Sequence, residues 1–420
     1  MTSPYSESSG RAPRSGAIPT ATASIETDAS ADRNGSVDQR GPALRPRVRI
    51  PFWDNARFGT IVLVVIGHAI QRQTSDSNNA LSLYLFIYAF HMPAFAIISG
   101  YFSKATPPGT RGMRKIVTDI LLPYLIMQTI WTGVQWFVEG QQSFNLTEPH
   151  WTLWFLLALA IFRVALPYLA MLRWPLLWAT LASVGVGYFS NVDSTFSLSR
   201  AIGILPFFLL GWYLRQWKVV DWWRRLGWQV WLVRAGAAAL FATWLTVVLM
   251  NVLTFREFDL KGWFFYDDSY QRLGEPVWWA GLLRFGLILL AVLLSTAFYA
   301  LIPRRHTLFS VFGQATMYVY LLHSFVLYPI RESGVLKDDH SSAVWLLTMV
   351  FASIAIAIAL SSPLVRRIFR PLIEPKPDWL FAKRDTRAHA GRNRRKRARP
   401  DIRPAPRGES RVDPTGSRRD

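Results

Sequence analysis

Cysteine is absent from the 420-residue chain, which excludes disulfides, thiolate metal ligands and a cysteine nucleophile. Charge is scarce as well. Asp, Glu, Lys and Arg make up 18% of the residues, against about 25% in a soluble domain. No HExxH, phosphate-binding GxxxxGK[ST] or GxSxG motif occurs, and where a His-x4-Asp motif starting at His68 would place its aspartate the chain has Gln73. Residues 1–48 are rich in Ser, Ala, Arg, Gly and Asp but contain no apolar run. They are expected to form a disordered tail rather than a signal peptide. The basic, Pro- and Arg-rich segment 375–420 is expected to be disordered too.

What remains is apolar. Hydrophobic residues account for 51% of the chain, gathered into windows separated by short charged connections. Windows of about 20 apolar residues cross a bilayer as helices. The expected fold class is all-α, a polytopic integral membrane protein whose membrane domain fills 50–370. About ten spans are expected, near 57–74, 83–102, 116–138, 151–170, 174–190, 200–216, 230–250, 277–301, 308–329 and 344–369. Alternate connections, such as "SKATPPGTRGMRK", "RQWKVVDWWRR" and "PRRH", are basic, whereas those between them are neutral, mixed or acidic. The positive-inside rule then puts both termini in the cytoplasm of a cell-membrane protein. The net charge of +20 lies mostly in the C-terminal segment and in these connections. It suits lipid headgroups better than nucleic acid. The longest outer connection, 251–276, carries Trp263, Phe264, Phe265, Tyr266, Asp267 and Asp268, side chains suited to a sugar-binding lid or to an interfacial aromatic belt.

Ionisable residues inside spans are costly and mark functional sites. In "RFGTIVLVVIGHAIQRQ", Arg57 and His68 are eleven residues apart, which puts them on one helix face with about 16 Å of rise between them. In "YLFIYAFHMPAFAIISGYF", His91 stands thirteen residues before Lys104, about 19 Å deep by the same rise. On antiparallel spans the two histidines would therefore share one depth. Tyr88 keeps helical spacing with His91, Pro93 frees the Ala89 carbonyl to face a cavity, and Ser99 with Gly100 permits close helix approach. His323, in "MYVYLLHSFVLY", is a third deep imidazole, whereas His150 in "EPHWTLWFL" belongs at a wet interface. The bland alternative for each is a structural interhelical hydrogen bond.

Histidine suits proton transfer near neutrality, and a cytoplasmic arginine suits phosphate. The spacing permits a cytoplasmic acyl-coenzyme A to reach a histidine at mid-membrane while an acceptor arrives from the opposite side. At these residues the chain resembles the membrane-bound acyltransferase-3 family, especially its fucose 4-O-acetylase-like branch. Asp54, the Arg57-x10-His68 pattern, His91-Met92-Pro93 leading to Ser99-Gly100-Tyr101, the Leu153–Leu156 signature containing Trp154, and Tyr320-x-x-His323 carry the likeness. The resemblance implies an O-acyltransferase, typically an acetyltransferase, acting on a hydroxyl of an envelope carbohydrate or glycolipid. Acyl-CoA would be the donor substrate, with no permanently bound cofactor or metal. It implies that His68 is the general base or acyl relay, that His91 positions the acyl group or acceptor, and that Arg57 holds the donor. Asp54 would orient Arg57 or cap the helix start. His323, Ser99, Tyr88 and Trp154 would be accessory. The expected partners are acyl-CoA, the acceptor and membrane lipids. The competing class is a transporter or flippase of a sugar or lipid intermediate; it is weakened because the spans almost lack acidic residues that could couple to ions.

Overall fold

In a computed structural model, the described residues are 49–140, 144–192, 195–333, 342–377 and 379–381. The expected disordered tail 1–48 lies outside them, as do 378 and 382–420 of the expected tail 375–420. The described residues are helical, with no strand among them. Their helices are α1 (Pro51–Ile70), α2 (Asn78–Tyr88), α3 (His91–Tyr101), α4 (Thr110–Ile116), α5 (Leu122–Glu139), α6 (Trp154–Leu169), α7 (Pro175–Gly185) and α8 (Leu198–Gln216). There follow α9 (Val219–Arg225), α10 (Gln229–Met250), α11 (Val252–Glu257), α12 (Leu260–Trp263), α13 (Ala280–Leu301), α14 (Thr316–Glu332), α15 (Ala343–Leu360) and α16 (Pro363–Ile373). Six helical segments are long and apolar enough to cross a membrane, with two shorter apolar helices beside them.

Helix α1 is the axis of the assembly, packed against α3, α14 and α15. Its start is pinned by one side chain. Asn55 Nδ2 donates to the carbonyls of Pro303 and Arg305 at 3.0 and 2.9 Å. Its Oδ1 accepts from the hydroxyls of Thr307 and Ser310 at 2.8 and 2.6 Å. Both donors and both acceptor sites of the amide are thus used. Loops expected on one side of a membrane also touch one another. Arg256 donates to the Thr74 and Ser75 carbonyls, and Arg72 to that of Arg331. At the opposite end Arg304 reaches the carbonyls of Trp223 and Leu226.

The second expected span is bent. Helix α2 ends at Tyr88 and α3 restarts at His91, with Phe90 at φ −144°, ψ −18° between them. Pro93 has no N–H and favours such a restart, since the first turn of a helix has no intrahelical use for that donor. Side chains from α13 fasten the bend: Ser295 Oγ donates to the Phe90 carbonyl at 3.4 Å and Tyr299 to that of Ala94 at 2.5 Å. Ala89 itself is fully buried. Beyond the bend α3 crosses α8 at backbone distance. A Cβ on Gly100 would stand 1.8 Å from the Phe208 carbonyl oxygen, and one on Gly211 2.0 Å from that of Ile97.

The last expected span, 344–369, is two helices. Helix α15 stops at Leu360, and Ser362 caps α16 by accepting from the Val365 N–H, with Pro363 in the first position. Proline there pre-sets the turn and loses no bond.

Candidate functional site

The bend between α2 and α3 delivers His91 to a cavity of about 330 Å³ lined also by His68, Gln71, Tyr88, Met92, Trp151, Trp154, Arg200 and the aromatic run Phe264–Tyr266. His68 and His91 therefore share one chamber, as matched depth on neighbouring spans requires. His91 is 2% exposed. Its Nδ1 lies 3.0 Å from the Ile87 carbonyl, a bond in which the nitrogen must be the donor. The remaining Nε2 is then the lone-pair nitrogen. The Tyr88 ring meets the imidazole edge-on at 4.4 Å between centroids.

The ring closest to His68 is that of His323. Their centroids are 5.4 Å apart, although nothing in the spacing along the chain joins them. His323 is fully buried, and its Nδ1 donates to the Val319 carbonyl at 2.9 Å. That leaves Nε2 as a buried lone pair without a partner, and His68 Nδ1 is buried and without one too. Trp151 closes the other side of His68, edge-on at 5.5 Å. Trp151 takes up a left-handed backbone with φ 39°, a conformation that costs free energy and clusters at functional sites. The turn carrying it is held to α14: the Tyr320 hydroxyl donates to the Thr152 carbonyl, and the Thr152 and Ser324 hydroxyls are 3.3 Å apart.

Arg200 was not foreseen. It reaches into the cavity from the first turn of α8, ion-paired with Asp267. Its guanidinium lies 5.2 Å over the Trp154 ring and 5.7 Å from that of Phe265. The pair binds the 251–276 connection across the chamber, so this connection forms a wall through Phe264, Phe265 and Tyr266. Trp263 is instead stacked in the core between Phe258 and Tyr270. Behind the wall Arg284 of α13, 1% exposed, sits over the rings of Tyr266 and Tyr270 and donates to the Asp268 carbonyl at 3.2 Å. Each arginine stands near the end of an apolar run, as Arg57 does.

Arg57 and Asp54 are not among the residues lining this chamber. They pair with each other at 3.4 Å, with the Arg57 guanidinium 4.4 Å over the Phe102 ring. The cap position of α1 belongs to Ile50, so Asp54 orients Arg57 and does not cap the helix. Ser99 returns its hydroxyl to the Phe95 carbonyl at 3.0 Å and lines no part of the chamber. His150 has its Nε2 3.2 Å from the Thr132 hydroxyl, and its backbone N–H donates to Gln128 Oε1. Burial lowers the pKa of that imidazole.

An imidazole in a chamber lined by aromatic and polar side chains, Glu148 and Arg200 among them, and backed by a second imidazole, can accept a proton from a hydroxyl as that hydroxyl attacks. Residues 50–362 match an acyltransferase domain family. Over 238 residues the chain is 28% identical to nodulation protein NolL of Mesorhizobium japonicum, which takes in 53% of this chain and 58% of that protein. This chain therefore spans under two thirds of NolL, and no solved structure matches it. The match runs from Ile50 at the foot of α1 to Ser362 beyond α15, enclosing His68, His91 and His323 alike, and the chain belongs to the acyltransferase-3 family of membrane acyltransferases.

Proposed function

We propose that this membrane acyltransferase moves an acyl group, acetyl above all, from cytoplasmic acyl-CoA to a hydroxyl of an extracytoplasmic carbohydrate or glycolipid. The observation carrying the proposal is the placement of His68 between Trp151 and His323, at the wall of a chamber it shares with His91. His68 Nδ1–H donates to the lone pair of His323 Nε2 when the two rings close together, which leaves His68 Nε2 as the base. That nitrogen takes the acceptor's hydroxyl proton while the oxygen attacks the thioester carbonyl. The carbon–sulfur bond then breaks, and the coenzyme A thiolate takes the proton from the imidazolium. His91 Nε2 and Arg200 orient the acyl oxygen and the acceptor. Arg57, about 16 Å from His68 along α1, holds donor phosphates at the cytoplasmic end. Ten passes with both termini in the cytoplasm, in the cell membrane, suit this arrangement. No permanently bound cofactor is needed.

The test is hydrolysis and transfer of radiolabelled acetyl-CoA by purified protein in detergent, where no sealed compartment exists. Activity is expected for the wild type and His150→Ala and is lost in His68→Ala. Absence of turnover, together with uptake of a glycolipid only in sealed vesicles, would establish a carrier instead. Mass spectrometry of envelope O-acetyl groups in a deletion strain and its complement then identifies the acceptor.

A further inference from the structure

A second cavity, of about 260 Å³, meets the first at His68, Gln71 and Trp151. Its chemistry differs from end to end. The mouth carries Arg72, Arg331 and Lys261, and among the described residues no carboxylate lines it. The floor is apolar, supplied by Leu327 and Ile330 of α14 and by Met349 and Ile356 of α15. The nearby acids are Glu332, shared between Arg72 at 3.3 Å and Arg331 at 3.5 Å, and Asp259, whose charge is felt by Lys261. Two carboxylates thus stand against two guanidinium groups and the Lys261 ammonium, so cationic charge still exceeds acidic charge at this end. Helix α15 is peripheral: Val344, Leu347 and Phe351 on its outer face are 75%, 56% and 67% exposed. A single helix therefore separates this cavity from the lipid that would surround the protein.

We infer that this second cavity seats the acceptor, and that the acceptor is a phosphate-linked lipid. The phosphate lies among Arg72, Arg331 and Lys261, the hydrocarbon chain runs along α14 and α15, and the hydroxyl reaches His68. The inference rests on the acyl-transfer reading for the part played by His68. Arg72 follows His68 by four residues, in the short 3-10 turn Gln71–Thr74 that succeeds α1, and both line the same cavity. Planar guanidinium groups favour phosphate oxygens through paired hydrogen bonds.

Three glucose compounds separate the contributions: dodecyl phosphoglucose (phosphodiester-linked), the neutral dodecyl glucoside, and soluble glucose 1-phosphate. Binding of each to full-length protein in phosphatidylcholine nanodiscs is measured without donor, and acetyl transfer is measured with it. Dodecyl phosphoglucose is expected to bind about tenfold more tightly than either of the others, the worth of one charge-assisted hydrogen bond. Arg331→Gln and Lys261→Gln should each remove that preference while binding of dodecyl glucoside persists, which certifies the fold. Arg331→Lys should restore part of it. Equal binding of the charged and neutral lipids, or a preference that survives both substitutions, overturns the inference. Preferential binding of glucose 1-phosphate would place a soluble sugar phosphate there instead of a lipid. The binding measurements decide whether or not the protein turns over acetyl-CoA, so a failure of the acyl-transfer reading is seen separately.

Discussion

Replacing Gly100 by alanine adds one methyl group at the crossing of α3 and α8. That carbon would stand 1.8 Å from the Phe208 carbonyl oxygen and 2.8 Å from its carbon, where ordinary contact begins at 3.4 Å. The obstacle is backbone inside a helix, so no rotamer change relieves it. The two helices must separate by about 1.6 Å at this point, and the reciprocal contact of Gly211 on Ile97 opens with them. Overpacking of this kind costs about 1–3 kcal/mol where side chains can yield, and the upper end applies against main chain. A loss of about 3 kcal/mol lowers a melting midpoint by roughly 3–4 °C in a chain of this size. Helix α3 carries His91 and α8 carries Arg200, both facing one chamber, and misplacement by about 1 Å can cost a hundredfold in rate. Thermal unfolding in detergent, followed by size-exclusion chromatography, and acetyl-CoA turnover are the assays. A Gly100→Ala protein that melts within about 1 °C of the wild type, where a few kcal/mol should show, and keeps its activity would show that this crossing does not set the site.

Gly133 of α5 is the matched control, because a Cβ there meets nothing within 4 Å; Gly133→Ala should keep activity and raise stability by up to about 1 kcal/mol in the same melting assay. Asn55→Ala removes the four bonds tying α1 to residues 303–310 and should cost about 2–4 kcal/mol, read as a lower melting temperature with α1 more open to limited proteolysis. His323→Phe keeps a ring beside His68 but no lone pair, so turnover should fall roughly a hundredfold with little change in melting; His323→Gln should recover part of the rate, and full activity in the phenylalanine variant would remove His323 from the chemistry.

The all-helical class with several membrane-crossing helices could be read from apolar windows because lipid forces each crossing to satisfy its backbone internally, whereas six helices among the described residues are long and apolar enough to cross, against the ten spans expected. Matched depth placed His68 and His91 together, whereas Pro93 suggested only a freed Ala89 carbonyl within one unbroken span 83–102 and not the restart of the helix at His91. The end of α15 was equally legible in Ser361-Ser362-Pro363, a cap followed by proline, but the apolar residues beyond it drew the span too far. Other features depend on contacts that leave no local mark. His323 lies 255 residues from His68, and only the packing of α1 on α14 makes them neighbours. Arg200 and Arg284 each stand near the end of an apolar run, where a charge also suits the membrane surface; their pairing with the 266–268 segment distinguishes them. The partners of Asn55 include main-chain carbonyls, which any sequence supplies.

That saturated amide at the foot of α1 also fixes the azimuth of the His68 imidazole thirteen residues above it. Sliding a helix by a single residue shifts it about 1.5 Å and turns it about 100°, enough to swing His68 from the meeting point of two chambers into packed hydrocarbon. With its carbonyl and hydroxyl partners spread over 303–310, Asn55 works as an indexing pin. The aim of the His68 ring is thus set at the far end of its own helix.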